Sequence, residues 1–230
     1  LARPLTALEP GLHTALASDP GAPYDAKARA YDVLVGSSLY NRMIWGLPRA
    51  WYGQVAAQAA ASGAGPLLEG GCGTALFTHE AWRATSRPLL LLDRSVGMLR
   101  VAGERVGDRA TLVQGDLFDL PFHPGAFETV CSFGVMHVLD DPTPALEQLW
   151  GCVAPGGELW VTSLVDTGRL VAKAWYGALR VAGEVGPAMT PEVLAGRLEA
   201  VAGVAPTVEV AGSFALVRVS APPSPAPGSG

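Results

Sequence analysis

From Pro66 onward, short apolar runs at 66–69, 89–92, 110–113, 127–133 and 158–165 alternate with longer segments whose apolar positions recur at helical spacing. Parallel strands need crossover connections, and a helix between each pair both crosses over and covers the sheet, so the rhythm predicts βαβ units. Helix signals agree. Ser95 precedes a helix that ends at Gly107, and Asp141-Pro142 opens another that runs to Cys152 before Pro155-Gly156-Gly157. Helical stretches follow over 168–182 and 190–203, and two strand-like runs, Thr207 to Val210 and Phe214 to Val219, flank Gly212-Ser213 as an antiparallel hairpin. Upstream, residues 1–23 carry four prolines and read as a loose start, whereas 24–62 hold Tyr31, Leu34, Val35, Leu39, Met43 and Trp45 at helical spacing. The expected architecture is an α/β, Rossmann-like, doubly wound sheet of seven strands, mostly parallel, with a C-terminal antiparallel hairpin and an N-terminal helical lid. Its expected parts are a segment and lid over 1–62, the main domain over 63–220 and a flexible tail over 221–230.

Composition narrows the function classes. With 49% hydrophobic and 16% charged residues, the chain has the apolar content of a globular core rather than of a disordered chain. Sixteen basic against 21 acidic residues give a net charge of −5, which supplies no electrostatic footprint for a nucleic acid or an anionic membrane. No apolar run approaches the ~20 residues of a membrane span, so an integral membrane protein is not expected. Cys72, Cys131 and Cys152 are odd in number and form no Cys-x-x-Cys pair, which fits a reducing cytoplasm. Oligomeric state is not legible.

In open α/β sheets ligands bind beyond the carboxyl ends of the strands. Acids mark that rim: Glu69, Asp93 and Asp116 close the first three runs. Between Glu69 and its helix lies Gly70-Gly71-Cys72-Gly73-Thr74-Ala75, a loop whose glycines permit positive φ and close ligand approach. Asp93 falls 20 residues beyond Gly73, near the ~20-residue spacing of a ribose-binding carboxylate; capping the helix after Ser95 is the other reading. Asp116 equally suits the turn into Leu117. Leu76 stands where a dinucleotide loop has its last glycine, and the acid at Glu69 repels a pyrophosphate but suits an amino-acid end and a sulfonium. Asp140-Asp141 before Pro142 reads as a helix cap, and no metal is expected.

Four blocks, Leu67 to Ala75, Leu92 to Leu99, Gln114 to Phe122 and Phe127 to Gly157, make the chain resemble class I S-adenosylmethionine-dependent methyltransferases, particularly the small-molecule group related to ubiquinone/menaquinone-biosynthesis methyltransferases. The resemblance implies that Glu69, Gly71 and Gly73 line the methionine and ribose portion of S-adenosylmethionine. It implies that Asp93 holds the ribose hydroxyls, Arg94 and Met98 flank the adenine, Asp116 and Leu117 meet the adenine edge, and Phe133 and Gly134 close the methionine side. Ala75, where the family has a third glycine, and Gly70, where it has a branched residue, depart from the pattern.

Methyl transfer needs an acceptor in line with the sulfur–methyl bond, and orientation with water exclusion supplies much of the catalysis. His137, after the fourth of these strands, is the candidate base, packing being its other reading. Tyr31, Tyr40 and Trp45 are the candidate lid and substrate residues. The expected function is methyl transfer to a small, apolar or aromatic acceptor. The alternatives are a catalytically silent S-adenosylmethionine-binding or protein-interaction member of the fold and, less favoured, an NAD-dependent oxidoreductase.

Overall fold

The computed structural model describes residues 1–18, 32–33 and 35–224. The expected helical positions Tyr31 and Leu34, and the tail from 225, lie outside the described residues. Among the described residues nine strands form one sheet, against the seven expected. In chain order they are β1 (Thr6–Glu9), β2 (Leu12–Thr14), β3 (Leu67–Gly70), β4 (Leu89–Asp93), β5 (Ala110–Gln114), β6 (Phe127–Phe133), β7 (Val153–Leu164), β8 (Thr207–Ala211) and β9 (Phe214–Ser220). Their spatial order is β1-β2-β5-β4-β3-β6-β7-β9-β8.

The two additional strands come from the supposed loose start. Gly11, at φ +77°, turns the chain between β1 and β2, and β2 lies parallel to β5 with Leu12 opposite Leu112. All four β1 residues are exposed, so this edge strand carries no alternating signature that would announce it. β7 also begins earlier than expected. Pro155-Gly156-Gly157 lies inside the strand rather than before it, where the register against β6 shifts between Phe127 and Thr129. β3 to β7 are mutually parallel where they pair, and β9 pairs antiparallel with both β7 and β8.

The helices are α1 (Ser38–Tyr40, continuing into a π-helical turn at Asn41–Trp45), α2 (Ala50–Ala61), α3 (His79–Ala84), α4 (Val96–Val106), α5 (Thr143–Gly151), α6 (Leu170–Val181) and α7 (Pro191–Ala202). Their ends follow capping chemistry. Ser95 Oγ accepts from the Met98 N–H at 3.1 Å, Asp141 Oδ1 accepts from the Thr143 N–H at 3.1 Å, and Gly107 terminates α4 at φ +61°. One core, with Trp51, Val55, Trp82, Leu99 and Val106, packs α2, α3 and α4 on one face; the other, with Leu146, Leu149, Leu194 and Leu198, packs α5 and α7 on the opposite face. Parallel strands buried on both faces explain the continuous apolar runs of the sequence.

Arg87, 4% exposed, ties the lower end of the sheet together. Its guanidinium donates to Gly65 O at 2.8 Å, Ala59 O at 3.1 Å and Thr129 Oγ1 at 2.8 Å, joining the end of α2 to β6.

Candidate functional site

The carboxyl ends of β3, β4, β5 and β6 open into one cavity of about 680 Å³. Among its walls are Glu69, Gly71, Gly73, Asp93, Arg94 and Met98, together with Asp116, Leu117, Phe133, Gly134 and His137, and Tyr40 and Trp45 from the lid. Tyr31 lies outside the described residues.

The glycine loop explains much of this convergence. Gly71, at φ +72°, donates its N–H to Leu92 O at 2.7 Å, and a Cβ there would meet Val135 Cγ2 at 2.6 Å. Gly73, at φ +53°, has open space where a Cβ would stand, so the backbone itself faces the cavity. Ala75 keeps the left-handed turn at φ +51°, a conformation in which an alanine is strained. At Gly70 a Cβ would meet Leu117 Cδ2 at 2.8 Å and Leu149 Cδ2 at 2.9 Å, so a larger residue would make these leucine ends shift.

Asp93 holds the loop from the next strand. Its Oδ2 accepts from the Gly73 N–H at 2.7 Å and its Oδ1 from the Ser95 N–H at 2.9 Å, so the capping alternative is real, while the same carboxyl lines the cavity. A carboxylate has about four acceptor sites, so two backbone bonds do not exhaust it. Asp116 Oδ1 likewise accepts from the Phe118 N–H at 3.0 Å, making the turn, and its Oδ2 lies 3.9 Å from Arg94 Nη1.

Glu69 is 2% exposed. Trp82 Nε1 donates to its Oε2 at 2.5 Å and Thr78 Oγ1 donates to the same oxygen at 3.2 Å. Burial nonetheless pushes its pKa up to about 8, outweighing these bonds. Trp82 stacks with Phe133 at 6.4 Å between ring centroids.

His137 is half-buried, and desolvation of its imidazole lowers its pKa to about 4. The Leu164 N–H donates to its Nδ1 at 3.3 Å. In the neutral ring an accepting Nδ1 leaves the proton on Nε2, so the imidazole presents a donor.

The far end of the cavity is aromatic and apolar. Tyr52 stacks on Phe77 at 4.3 Å and meets Phe214 edge-on at 5.2 Å; Tyr40 meets Trp45 edge-on at 6.0 Å. The Tyr40 hydroxyl accepts from Trp175 Nε1 at 2.8 Å. Leu179, on the helical stretch that the sequence offers as the opposite wall, lines this end together with Val185 and Phe214, which escaped the sequence reading because nothing local marks a side chain that reaches the site across the fold. Asn41 also escaped it. Buried, it donates to Val35 O at 2.7 Å and Ser37 O at 2.9 Å and accepts from the Tyr52 hydroxyl at 3.1 Å, fixing the lid turn to α2. Asp140 and Asp141 are paired with Arg180 and Arg197.

Residues 68–161 match the methyltransferase domain family. Demethylmenaquinone methyltransferase of Streptomyces avermitilis is 33% identical over 139 residues, 60% of this chain and 59% of that protein. The matched part of the chain spans between 31% and 59% of the length of such curated relatives. Among solved structures, an O-methyltransferase family protein from Burkholderia thailandensis superposes with TM-score 0.70 at 15% identity, over 88% of this chain and 62% of that one. Phosphoethanolamine N-methyltransferase 2 of Haemonchus contortus, solved with phosphomonomethylethanolamine and S-adenosylhomocysteine, gives TM-score 0.66 at 16% identity over 87% and 58%. Residues 68–161 thus match the methyltransferase domain family, and the chain shares its Rossmann-like fold with solved methyltransferases.

Proposed function

We propose that this chain transfers a methyl group from S-adenosylmethionine to a small, apolar or aromatic acceptor. The observation that carries the reading is the single cavity of about 680 Å³, polar along the strand ends and aromatic beyond them. The donor set fits the cofactor. Buried Glu69 is poised to take an ammonium or sulfonium charge, Asp93 and Asp116 offer acceptors for hydroxyl and amine groups, and the open backbone at Gly73 and Gly134 admits a close ligand. When bound, S-adenosylmethionine supplies a methyl group already activated on a sulfonium.

The protein's own contribution is orientation and dryness. Tyr40, Trp45, Tyr52 and Phe214 line the acceptor end and exclude water, which favours an uncharged, planar or hydrocarbon-rich molecule. His137, neutral with its Nδ1 occupied, is suited to donate from Nε2 to an acceptor oxygen and so fix its direction; a general base needs the lone pair that this tautomer lacks. The acceptor therefore arrives nucleophilic enough, or loses its proton to water. The Streptomyces relative is named for demethylmenaquinone, and quinols and phenols belong first in a panel of acceptors.

Calorimetry with S-adenosylhomocysteine and with NAD, followed by methyl transfer to phenols, quinols and amines, tests the reading. Micromolar S-adenosylhomocysteine binding, no NAD binding and turnover of at least one uncharged acceptor are expected. Binding without any turnover favours the silent member of the fold, and NAD binding sinks the proposal.

A further inference from the structure

The charge and the apolar exposure of this chain are unevenly distributed. Although the whole carries −5, residues 35–52 and 168–182, which hold the lid turn and α6, contain Arg42, Arg49, Arg169, Lys173 and Arg180 and no acidic residue. The same two segments expose Leu39 (71%), Met43 (63%), Leu170 (82%), Val171 (57%) and Val181 (91%). They are joined where Trp175, itself 38% exposed, donates to the Tyr40 hydroxyl.

α6 is apolar over far more of its girth than its packing uses. At about 100° per residue, Leu170, Val171, Trp175 and Val181 fall within an arc of roughly 140° that includes only Ala174 and Ala178 besides. Ala172, Tyr176 and Leu179 form the inward stripe, and Arg169, Lys173 and Arg180 lie together on the remaining side. Apolar residues with a Trp on one face and basic residues on another are the pattern of a helix that lies in a lipid interface. Lys173 and Arg180 pair with Asp166 at 3.4 Å and Asp140 at 3.0 Å, but exposed pairs of this kind are weak and yield to phosphates.

We propose that α6 and the adjoining lid turn form a docking face for an anionic lipid surface. Tyr40 and Leu179, on these two elements, line the cavity, so docking brings its mouth to the place where an apolar acceptor dissolves. The occupant is a bilayer rather than a second copy because two such faces would bring like charges together. The low overall charge predicted no attraction to an anionic membrane; the distribution of that charge reverses the expectation locally.

The test is co-sedimentation of the full chain with vesicles of phosphatidylglycerol or of phosphatidylcholine, with light scattering alongside. Retention on phosphatidylglycerol that salt releases, with about fivefold less on phosphatidylcholine, is expected. The double substitution Leu170→Ser, Val171→Ser, at exposed positions outside the cavity, should cut retention at least about fivefold and leave S-adenosylhomocysteine affinity unchanged. No binding to phosphatidylglycerol, equal binding to both lipids, indifference to the double substitution, or a dimer that this substitution abolishes overturns the proposal. Calorimetry reads the cavity alone, so a failure here is separable from a failure of the proposed function.

Discussion

Asp32 and Arg105 meet at 2.6 Å across 73 residues of sequence, and between them they hold the glycine loop. Asp32 accepts from Thr74 Oγ1 at 2.6 Å with its other oxygen, while Arg105 donates to Thr74 O at 2.7 Å. The next residue is Ala75, whose left-handed backbone is costly for an alanine. The clamp therefore lies where the loop has most reason to relax, and it connects the lid segment, the loop and α4.

Asp32→Ala should lower the thermal midpoint and weaken S-adenosylhomocysteine binding by about tenfold, or about 1.4 kcal/mol. Adding Ala75→Gly, which removes the strain, should recover part of the lost affinity. Calorimetry on the two single variants and the pair checks this; strictly additive effects would separate the clamp from the strain.

Asp93→Ala removes both the loop tie and a cavity carboxylate. An affinity loss of at least about tenfold for S-adenosylhomocysteine is expected, about 1.4 kcal/mol. Asp93→Asn keeps one acceptor oxygen for a backbone N–H and should fall between. Unchanged calorimetric affinity in the alanine variant would remove Asp93 from the site.

Glu69 makes the unliganded protein sensitive to alkali. A buried carboxyl raised to about 8 favours the folded state most below its unfolded value near 4.5, and that contribution drains away as pH climbs through 8. Scanning calorimetry should show the midpoint dropping from pH 6 to 9, with the drop reduced in Glu69→Gln. Binding of a cationic ligand should draw the carboxyl to its charged form, so calorimetry near pH 7 in buffers of different ionisation enthalpy should detect proton release, absent from the variant.

His137, lowered to about 4, should leave no inflection between pH 6 and 7 in the profile of kcat/KM. His137→Gln, which keeps a donor, should retain more activity than His137→Phe. An inflection in that range that vanishes in both variants would restore the histidine as a base.

Arg87→Met would strand the carbonyls of Gly65 and Ala59 in a buried corner, at a cost of about 3 kcal/mol. Denaturant unfolding should show it, with ligand affinity per folded molecule unchanged.

How far the chain discloses itself depends on whether a signal is local. β3 through β6 are legible because strands covered on both sides become unbroken apolar runs, and the rim carboxyls are legible because one βα repeat separates them. Ser95 and Gly107 announce α4 through its ends. The first hairpin is not legible: Thr6 to Glu9 faces water throughout, and only pairing across the sheet makes it a strand. Nor are Phe214, Val185 and the Asp32–Arg105 tie, whose partners are set by tertiary closure. The position of His137 beside the cavity is legible, but the bond that its Nδ1 accepts comes from the Leu164 amide, 27 residues away, and no local pattern announces it.

That first hairpin also guards the molecule against its own kind. β5 would otherwise end the sheet with unsatisfied amides and carbonyls and a largely apolar stretch, an invitation to stack with a neighbour's strand. By laying Leu12 to Thr14 along it, and exposing beyond them a short strand that bulges between Ala7 and Glu9, the chain trades a sticky border for a blunt one. Shortening the amino end should therefore reveal itself first as insolubility, before any loss of the chemistry at the opposite rim.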